Sequence, residues 1–464
     1  MTGSSPSSLQ RRLGPYDAAA IIVSNVIAGG ILFFPSLVAQ YVPNPWLFLS
    51  TWIAGGALAF AGAMAYAELA TLRPRAGGEY VYLDAAFGRL AAFLTGWTSF
   101  VAGFSGAIAT DALIFAFYLG RFVPGTASAA PLLVVPIPGI PLTVSAQSLT
   151  ALAVIALMCW IHVRGVGPGR IVGNVLAALK VSALVAFIAV GLTLGTGSAA
   201  NLETAAGPVS PASWLLALVP IMLTYSGWNA ASYVAEEIRD PDRNVPLALT
   251  LGTITVIAIY LLLNILYLYV FPVGSLAAIK GSILDVIADR LLGARAGNIM
   301  GAVSIVSLAA SISAMTIAGP RVYYAMARDG VFLPMAARVH PRYHTPALSI
   351  VAQSVWSGLL VLSGGGASAL GRYTGFTVVL FAGIAVVALF VLRSREPAAP
   401  RPFKALGYPI APAAFVVASL LIAANAIYRD PLPSGAGVLI ILAGIPLYLI
   451  FSRRIVLIDR GVRL

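Results

Sequence analysis

Twelve long apolar stretches run through this chain, and they constrain its fold more than any other feature. They cover about residues 15–40, 45–72, 87–119, 142–163, 169–195, 212–236, 246–271, 297–327, 345–363, 370–392, 407–428 and 432–452. Each has roughly the 20 residues that an α-helix needs to cross a bilayer. Charged residues make up 9% of the chain, against about 25% in soluble domains. The pattern predicts an all-α polytopic membrane protein with 12 transmembrane helices.

The basic residues are distributed unevenly between the two sides of this predicted bundle. If the N-terminus lies in the cytoplasm, 21 of the 28 Lys and Arg residues fall at cytoplasmic ends of the stretches and 6 fall at outer ends. Cytoplasmic loops carry such an excess. We therefore expect a multi-pass protein of the cell (inner) membrane with both termini cytoplasmic. The same distribution accounts for the net charge of +12 without a nucleic-acid partner.

Small and polar residues interrupt the first and the sixth stretch. The first contains Ile-Ala-Gly-Gly-Ile over residues 27–31, followed by Pro35, and the sixth contains Leu-Thr-Tyr-Ser-Gly over residues 223–227. Gly and Pro weaken a helix, and backbone groups freed at membrane depth need polar partners. A single Gly pair is more often explained by close helix packing. Two interruptions at matching positions favour instead a transporter site between inverted repeats.

The positions of the interruptions also predict the organisation of the chain. We expect a cytoplasmic tail over 1–14, five-helix repeats over 15–195 and 212–392, helices eleven and twelve over 407–452, and a second cytoplasmic tail over 453–464. The two halves share no residue-level similarity, so this repeat is predicted from the two interruptions alone.

Five short segments carry a resemblance to a known family. They lie over residues 27–31, 66–80, 227–246, 321–330 and 401–409, and include Pro-Arg-Ala-Gly-Gly-Glu-Tyr at 74–80 and Arg-Asp-Pro at 239–241. In these segments the chain resembles the amino acid–polyamine–organocation superfamily, and within it the permeases close to the L-type amino acid exchangers. The resemblance implies the LeuT-type fold, a 5+5 inverted repeat in which helices 1 and 6 are broken.

The resemblance implies a secondary transporter of amino acids rather than an enzyme. Such a protein works by alternating access, through sodium-independent exchange or proton-linked uptake, and no cofactor or metal is expected. The sequence lacks a Gly-rich phosphate loop for ATP. A polyamine or organic-cation transporter of the same fold is the alternative, and a channel is a more distant one because no selectivity ring is visible. Partners other than the substrate and the bilayer stay open, including whether the chain forms a homo-oligomer.

The resemblance also implies a binding site. Relatives hold the substrate carboxylate on the backbone of the first broken helix and the amino group near carbonyls of the first and sixth. N–H groups at a helix start suit an anion, and freed carbonyls suit an ammonium. The matching positions here are Ile27, Ala28, Gly29, Gly30, Tyr225, Ser226 and Gly227. The sequence leaves Asn229 open between substrate contact and helix packing. Leu223 stands where the family usually places a gate aromatic.

Lys180 lies deep inside the fifth stretch, about 15 Å from its start at 1.5 Å per residue. A lysine in hydrocarbon needs a polar partner. At this depth the Lys180 amino group cannot easily extend to the membrane–water interface. Relatives place a fifth-helix lysine where sodium-coupled members hold a sodium ion. We therefore expect Lys180 to bond first-helix carbonyls and eighth-helix hydroxyls, with Ser311 and Ser313 as the hydroxyls, and transport to be sodium-independent.

The sequence leaves the role of other charged residues open. Asp111, near the outer end of the third stretch, is either functional or faces a vestibule. Acidic and basic residues gather at the predicted inner ends of the second and sixth stretches, and they form either an inner gate or a solvated surface. These residues are Glu68, Arg73, Arg75, Glu236, Glu237, Arg239 and Arg243. The three histidines, His162, His340 and His344, are interpreted as structural.

Overall fold

The chain folds almost entirely into α-helices, in a computed structural model that describes residues 9–137, 141–203, 207–293, 295–364 and 366–459. The helices of the first half are α1 (Pro15–Val26), α2 (Gly29–Tyr41), α3 (Pro45–Leu72), α4 (Glu79–Phe87), α5 (Arg89–Thr98), α6 (Phe104–Leu119), α7 (Ala146–Val163) and α8 (Val166–Leu194). A π-helical turn, Ser99–Gly103, joins α5 to α6 into one long span.

The second half has the same character. Its helices are α9 (Pro211–Thr224), α10 (Ala230–Tyr233), α11 (Pro241–Val270), α12 (Val273–Ala278), α13 (Ile283–Leu292), α14 (Ala296–Arg328), α15 (Ala347–Leu362), α16 (Gly366–Arg395), α17 (Ile410–Arg429) and α18 (Pro431–Asp459). Short 3₁₀ turns lie at Ala199–Leu202, Ala235–Glu237 and Pro334–Ala337.

The helix lengths confirm a polytopic membrane protein. Within the described residues, nine helices are long and apolar enough to cross a membrane, and the bent pair α1–α2 makes a tenth. The helices α9 and α15 are apolar but shorter. All of these coincide with stretches that the sequence marks as apolar. The number of twelve spans and the inverted repeat stay predictions, and so does the division into repeats and tails. Residues 1–8 and 460–464 of the predicted tails lie outside the described residues.

Local sequence sets where the spans begin. The span α3 starts at Pro45, the first helical position, where a missing N–H costs nothing. The Asn44 side chain accepts a hydrogen bond from the Leu47 N–H at 3.0 Å, as an N-cap should. Ser145 caps α7 in the same way, through the Ser148 N–H. These caps fix the helix starts because they satisfy orphan backbone donors.

A β-hairpin lies between α6 and α7, where the sequence analysis expected the start of the fourth span. Its strands, Pro131–Val135 and Leu142–Ser145, pair antiparallel. The prediction of a helix from residue 142 was therefore wrong by four residues. Residues 142–145 read Leu-Thr-Val-Ser, and the β-branched pair favours a strand once a partner strand is available.

Burial separates an inner group of spans from an outer group. The most apolar part of α14 is 78% buried inside the protein, whereas that of α18 is 17% buried. Large side chains such as Leu439 and Leu432 on α18 stay exposed, which suits a helix that faces lipid. By the same measure α3, the joined α5–α6 span and α16 are also inner spans, each with 61% of its most apolar part buried. A polar ligand is best held among such inner spans.

Labelling of single cysteines tests the arrangement of the first spans. We expect a membrane-impermeant maleimide to label Ser128→Cys in intact cells and Arg11→Cys only after permeabilisation, because three spans separate these exposed positions. Both variants are made in Cys159→Ser, which removes the single native cysteine and serves as the unlabelled control. Equal labelling of both positions in intact cells would contradict this arrangement.

Candidate functional site

Both helix interruptions open onto one cavity of about 680 Å³. This volume lies within the range of small-molecule sites, about 300–1,000 Å³. The first interruption contributes Ala28, Gly29 and Gly30 to the wall, and the second contributes Leu223, Thr224, Ser226, Gly227 and Asn229. The structure thus brings together two segments that lie about 200 residues apart in the sequence.

The first interruption turns the start of a helix towards the cavity. The helices α1 and α2 meet at an angle of 49°, and α2 begins at Gly29. The first N–H groups of a helix have no partner within it and carry the positive end of the helix dipole. Because Gly29 and Gly30 line the cavity, these donors are suited to bind an anionic group.

The two interruptions touch each other at Gly30. A Cβ atom added to Gly30 would lie 2.9 Å from the Cα of Thr224, closer than real Cβ atoms approach. The Tyr260 hydroxyl ties the two segments further, since it lies 2.8 Å from the Val26 carbonyl and 3.2 Å from the Thr224 carbonyl. Any larger residue at position 30 has to push the two interruptions apart.

The second interruption depends on Gly227, whose φ of +105° disfavours any other residue. Its carbonyl accepts a hydrogen bond from the Asn25 side chain at 3.4 Å, and Ser226 beside it lines the cavity. Tyr225 points elsewhere: its ring packs against Trp52 and Tyr260, and its hydroxyl donates to the Trp52 carbonyl. The Tyr225 side chain therefore belongs to the packing behind the site.

Lys180 is fully buried and bonds to the first interruption, as the sequence analysis expected. Its Nζ donates to the Ser24 carbonyl at 3.0 Å and to the Ile27 carbonyl at 2.5 Å. The Ile27 carbonyl also accepts from the Ser307 hydroxyl at 2.8 Å. Ile27 itself is outside the cavity wall, and its backbone oxygen is committed to this cluster on the far side of the interruption.

The hydroxyl beside Lys180 differs from the two that the sequence analysis named. Ser311 lines the cavity, within hydrogen-bonding reach of Asp111. Ser313 bonds to the ring of the buried His162 at 2.9 Å. Residues two apart on a helix point in different directions, whereas residues four apart share a face. Ser307 and Ser311 are the pair that faces the interruption. The sequence indicates Ser307 only through its spacing, four residues before Ser311 on the same helix.

Asn229 is held by a buried carboxylate that the sequence analysis did not single out. The Asn229 side chain donates to Glu79 at 2.8 Å, and the Tyr66 hydroxyl donates to the same carboxylate at 2.6 Å. Glu79 begins α4 and lines the cavity together with Asn229 and Tyr233. Burial raises the pKa of Glu79, and hydrogen bonds from Tyr66, Tyr233 and Asn229 oppose that rise.

Leu223 forms part of the apolar wall next to α16. A Cβ atom added to Gly375 of α16 would lie 2.9 Å from a Leu223 methyl carbon, so the two helices are in close contact here. The side chain covers the cavity beside Phe33 and Phe34. It provides an apolar contact at the position where the sequence analysis placed a gate.

Ion pairs hold together the end of the bundle where α1 begins. Glu237 and Arg321 form a buried two-bond pair at 2.7 and 3.1 Å, and the Leu13 N–H donates to the Glu237 carbonyl. Glu236 pairs with Arg328 at 2.9 Å and accepts from the Ala76 N–H. These contacts join α14 to the segment that follows α10.

A second group of ion pairs joins α3 and its following loop to α14 and α16. Glu68 is fully buried and pairs with Arg393 at 2.6 Å and with Arg401 at 3.2 Å. Arg75 pairs with Asp329 at 2.7 Å, and Arg73 pairs with Glu396 at 2.6 Å. We call the two groups together the closed end. Among the described ion pairs, Arg239 and Arg243 of the predicted cluster take no part.

Comparison with known proteins places this chain in a family. The model of the amino acid permease family matches residues 13–451. The serine/threonine exchanger SteT of Bacillus subtilis is 24% identical over 451 residues, which cover 97% of this chain and 98% of that protein. Large neutral amino acids transporter small subunit 2 of Mus musculus is 29% identical over 454 residues, 96% of this chain and 82% of that protein.

A further relative passes 30% identity. The b(0,+)-type amino acid transporter 1 of Mus musculus is 30% identical over 455 residues, which cover 96% of this chain and 88% of that protein. These relatives are transporters and not enzymes. Their similarity covers nearly the whole chain rather than one motif. The resemblance seen in the sequence is therefore confirmed, and the chain belongs to the amino acid permease family.

Proposed function

We propose that this protein is a secondary active transporter that moves amino acids across the membrane by alternating access. The observation that carries the proposal is the single cavity between the two helix interruptions, lined by Gly29 and Gly30 on one side and by Ser226 and Gly227 on the other. Relatives named as amino acid exchangers and transporters support it.

The chemistry of the cavity suits both charged groups of an amino acid. The N–H groups of Gly29 and Gly30 at the start of α2 bind the substrate carboxylate. Backbone carbonyls freed at the interruptions, with the Ser226 hydroxyl, accept hydrogen bonds from the substrate amino group. Ala28-Gly29 stands where the family commonly has Gly-Ser, so position 29 lacks a hydroxyl and the backbone carries more of the carboxylate binding.

Transport is sodium-independent in this proposal because Lys180 occupies the position of a cation. Its Nζ binds two carbonyls of the first interruption, and Ser307 binds one of them as well. An amino group of the chain that donates hydrogen bonds to these carbonyls takes the place that a sodium ion would fill. Without sodium coupling, transport proceeds either by exchange or by proton-linked uptake.

Alternating access requires an end that closes and opens. The closed end is held by ion pairs, of which Glu237–Arg321 is the most buried, and we propose that these pairs form the inner gate. For the gate residue Leu223, which lines the cavity, we propose an apolar closure over the substrate. Twelve spans in a 5+5 inverted repeat, with both termini cytoplasmic in a cell membrane, fit this arrangement and belong to the same proposal.

The close contact at Gly30 yields a direct test of the binding site. We expect Gly30→Ala to weaken amino acid binding roughly tenfold or more, because the added methyl group overpacks the contact with Thr224. Gly173→Ala is the matched control, since a Cβ atom there meets nothing within 4 Å. Binding is measured by scintillation proximity on monodisperse protein in detergent, and wild-type affinity in a folded Gly30→Ala protein would contradict the proposal.

Ion replacement tests the role of Lys180. We expect uptake into proteoliposomes to be unchanged when choline replaces sodium at equal pH. Lys180→Met keeps the apolar stem but loses both hydrogen bonds from Nζ, and should lower uptake about tenfold or more. The matched control is Lys280→Met, an exposed lysine outside the site. A strict sodium requirement, or full uptake by Lys180→Met at equal protein amount, would refute this role.

Two serines of α14 allow a comparison between a residue that bonds to the first interruption and one that does not. We expect Ser307→Ala to lower uptake about two- to tenfold, because it removes one hydrogen bond from the Ile27 carbonyl. Ser313→Ala removes a hydrogen bond to His162 instead and should leave uptake near the wild-type value. The reverse order of the two effects would show that Ser313, and not Ser307, supports the interruption.

A further inference from the structure

Asp111 is a buried carboxylate that the proposed binding mode does not use. It lies on α6, is 8% exposed, and forms part of the cavity wall. The Ser311 hydroxyl of α14 lines the same cavity and interacts with the Asp111 carboxylate. A buried carboxylate with one hydroxyl partner leaves most of its acceptor capacity unfilled, which is costly in an apolar setting.

The position of Asp111 relative to the first interruption is set by its own helix. Ile114, three residues further along α6, packs close to Gly29: a Cβ atom added to Gly29 would lie 3.4 Å from the Ile114 Cδ1 atom. Residues three apart share a helix face, and both residues line the cavity. Asp111 is therefore one helical turn, about 4.5 Å along the α6 axis, from the residue that contacts Gly29, and it lies on the same cavity wall.

The other charged groups around the cavity are already engaged. Lys180 interacts electrostatically with Asp111, but its hydrogen bonds go to backbone carbonyls on the far side of the interruption. Glu79 is bonded to Tyr66 and Asn229. Among the described side chains that line the cavity there is no Lys or Arg, and the Arg372 side chain lies outside the described part. The cavity itself thus presents a carboxylate to the ligand.

The wall next to Asp111 is apolar. Phe104, Ala107, Ile114 and Met315 line it, and such a surface suits the methylene stem of a long side chain with a charged head. A cationic head beside Asp111 donates hydrogen bonds to the carboxylate and adds a positive charge on the cavity side, which a neutral side chain of the same shape does not.

We infer that this transporter selects amino acids whose side chain carries a positive charge, an ammonium or a guanidinium, and that Asp111 binds that charge. The inference rests on the proposed function and names its substrate class. The bond to the side chain is independent of the backbone groups that hold the carboxylate and the amino group.

Matched pairs of amino acids test the selectivity on the wild-type protein. Arginine and citrulline have nearly the same shape, but only arginine is charged on the side chain, and lysine and norleucine form a second pair. In counterflow from proteoliposomes, we expect arginine and lysine to compete with labelled substrate about tenfold or more better than their neutral counterparts. Equal competition within both pairs would overturn the inference while leaving amino acid transport intact. Failure of every amino acid to compete would overturn the proposed function as well.

A substitution assigns the selectivity to Asp111. Asp111→Asn keeps the shape and removes the charge, and should bring the arginine-to-citrulline competition ratio close to one. Asp430→Asn, an exposed carboxylate in the loop before α18, is the control and should keep the wild-type ratio. An Asp111→Asn protein that keeps the wild-type ratio would overturn the assignment. An Asp111→Asn protein that binds charged and neutral amino acids more weakly to the same degree would also overturn the assignment. Asp111 would then stabilise the fold or hold Lys180 in place. If the variant does not fold, the wild-type competition decides the inference.

Discussion

A helix that breaks at membrane depth leaves backbone N–H and C=O groups that water cannot satisfy, and the centre of this fold is arranged to satisfy them. The carbonyls at the end of α1 are taken by Lys180, Ser307 and the Tyr260 hydroxyl. These partners come from three different helices, so the first interruption is held from several sides. The N–H groups at the start of α2 face the cavity instead, and this asymmetry leaves donors available for an anionic ligand.

This arrangement keeps the Lys180 amino group out of the cavity wall. Lys180 stabilises the interruption from behind, while the cavity wall carries the carboxylates Asp111 and Glu79. At the same wall a hydrogen bond from Asn229, the residue before α10, to Glu79, the first residue of α4, links these two helices. A movement that separates α4 from the sixth span has to break the Asn229–Glu79 hydrogen bond, and one that separates α14 from the segment after α10 has to break the buried Glu237–Arg321 pair. In the proposed mechanism, binding site and inner gate are linked by the segment from Asn229 to Glu237, which carries one of these contacts near each end.

Local chemistry explains which features the sequence could predict. The interruptions were predictable because Gly and Pro in an apolar run act within a few residues, and the burial of Lys180 followed from its depth in a span. Which serine of α14 lies beside Lys180 depends on how that helix is rotated. Ser307 faces the first interruption, whereas Ser313 points towards His162. The role of Glu79 depends on Tyr66 and Asn229 meeting it from two other segments, and the hairpin from residue 131 depends on strand pairing. Tertiary contacts of this kind leave no periodic signal in a single sequence.

The central claim is that the amino acid lies in the cavity between the two interruptions. Substrate protection of Ser226→Cys in a Cys159→Ser background measures this most directly, because Ser226 lines that cavity and a thiol is close to a hydroxyl in size. The account predicts that a saturating amino acid which the wild type transports slows modification of this cysteine by a small thiol reagent. Modification of Ser128→Cys in the exposed loop should keep its rate. Equal rates at Ser226→Cys with and without a transported amino acid would contradict the account.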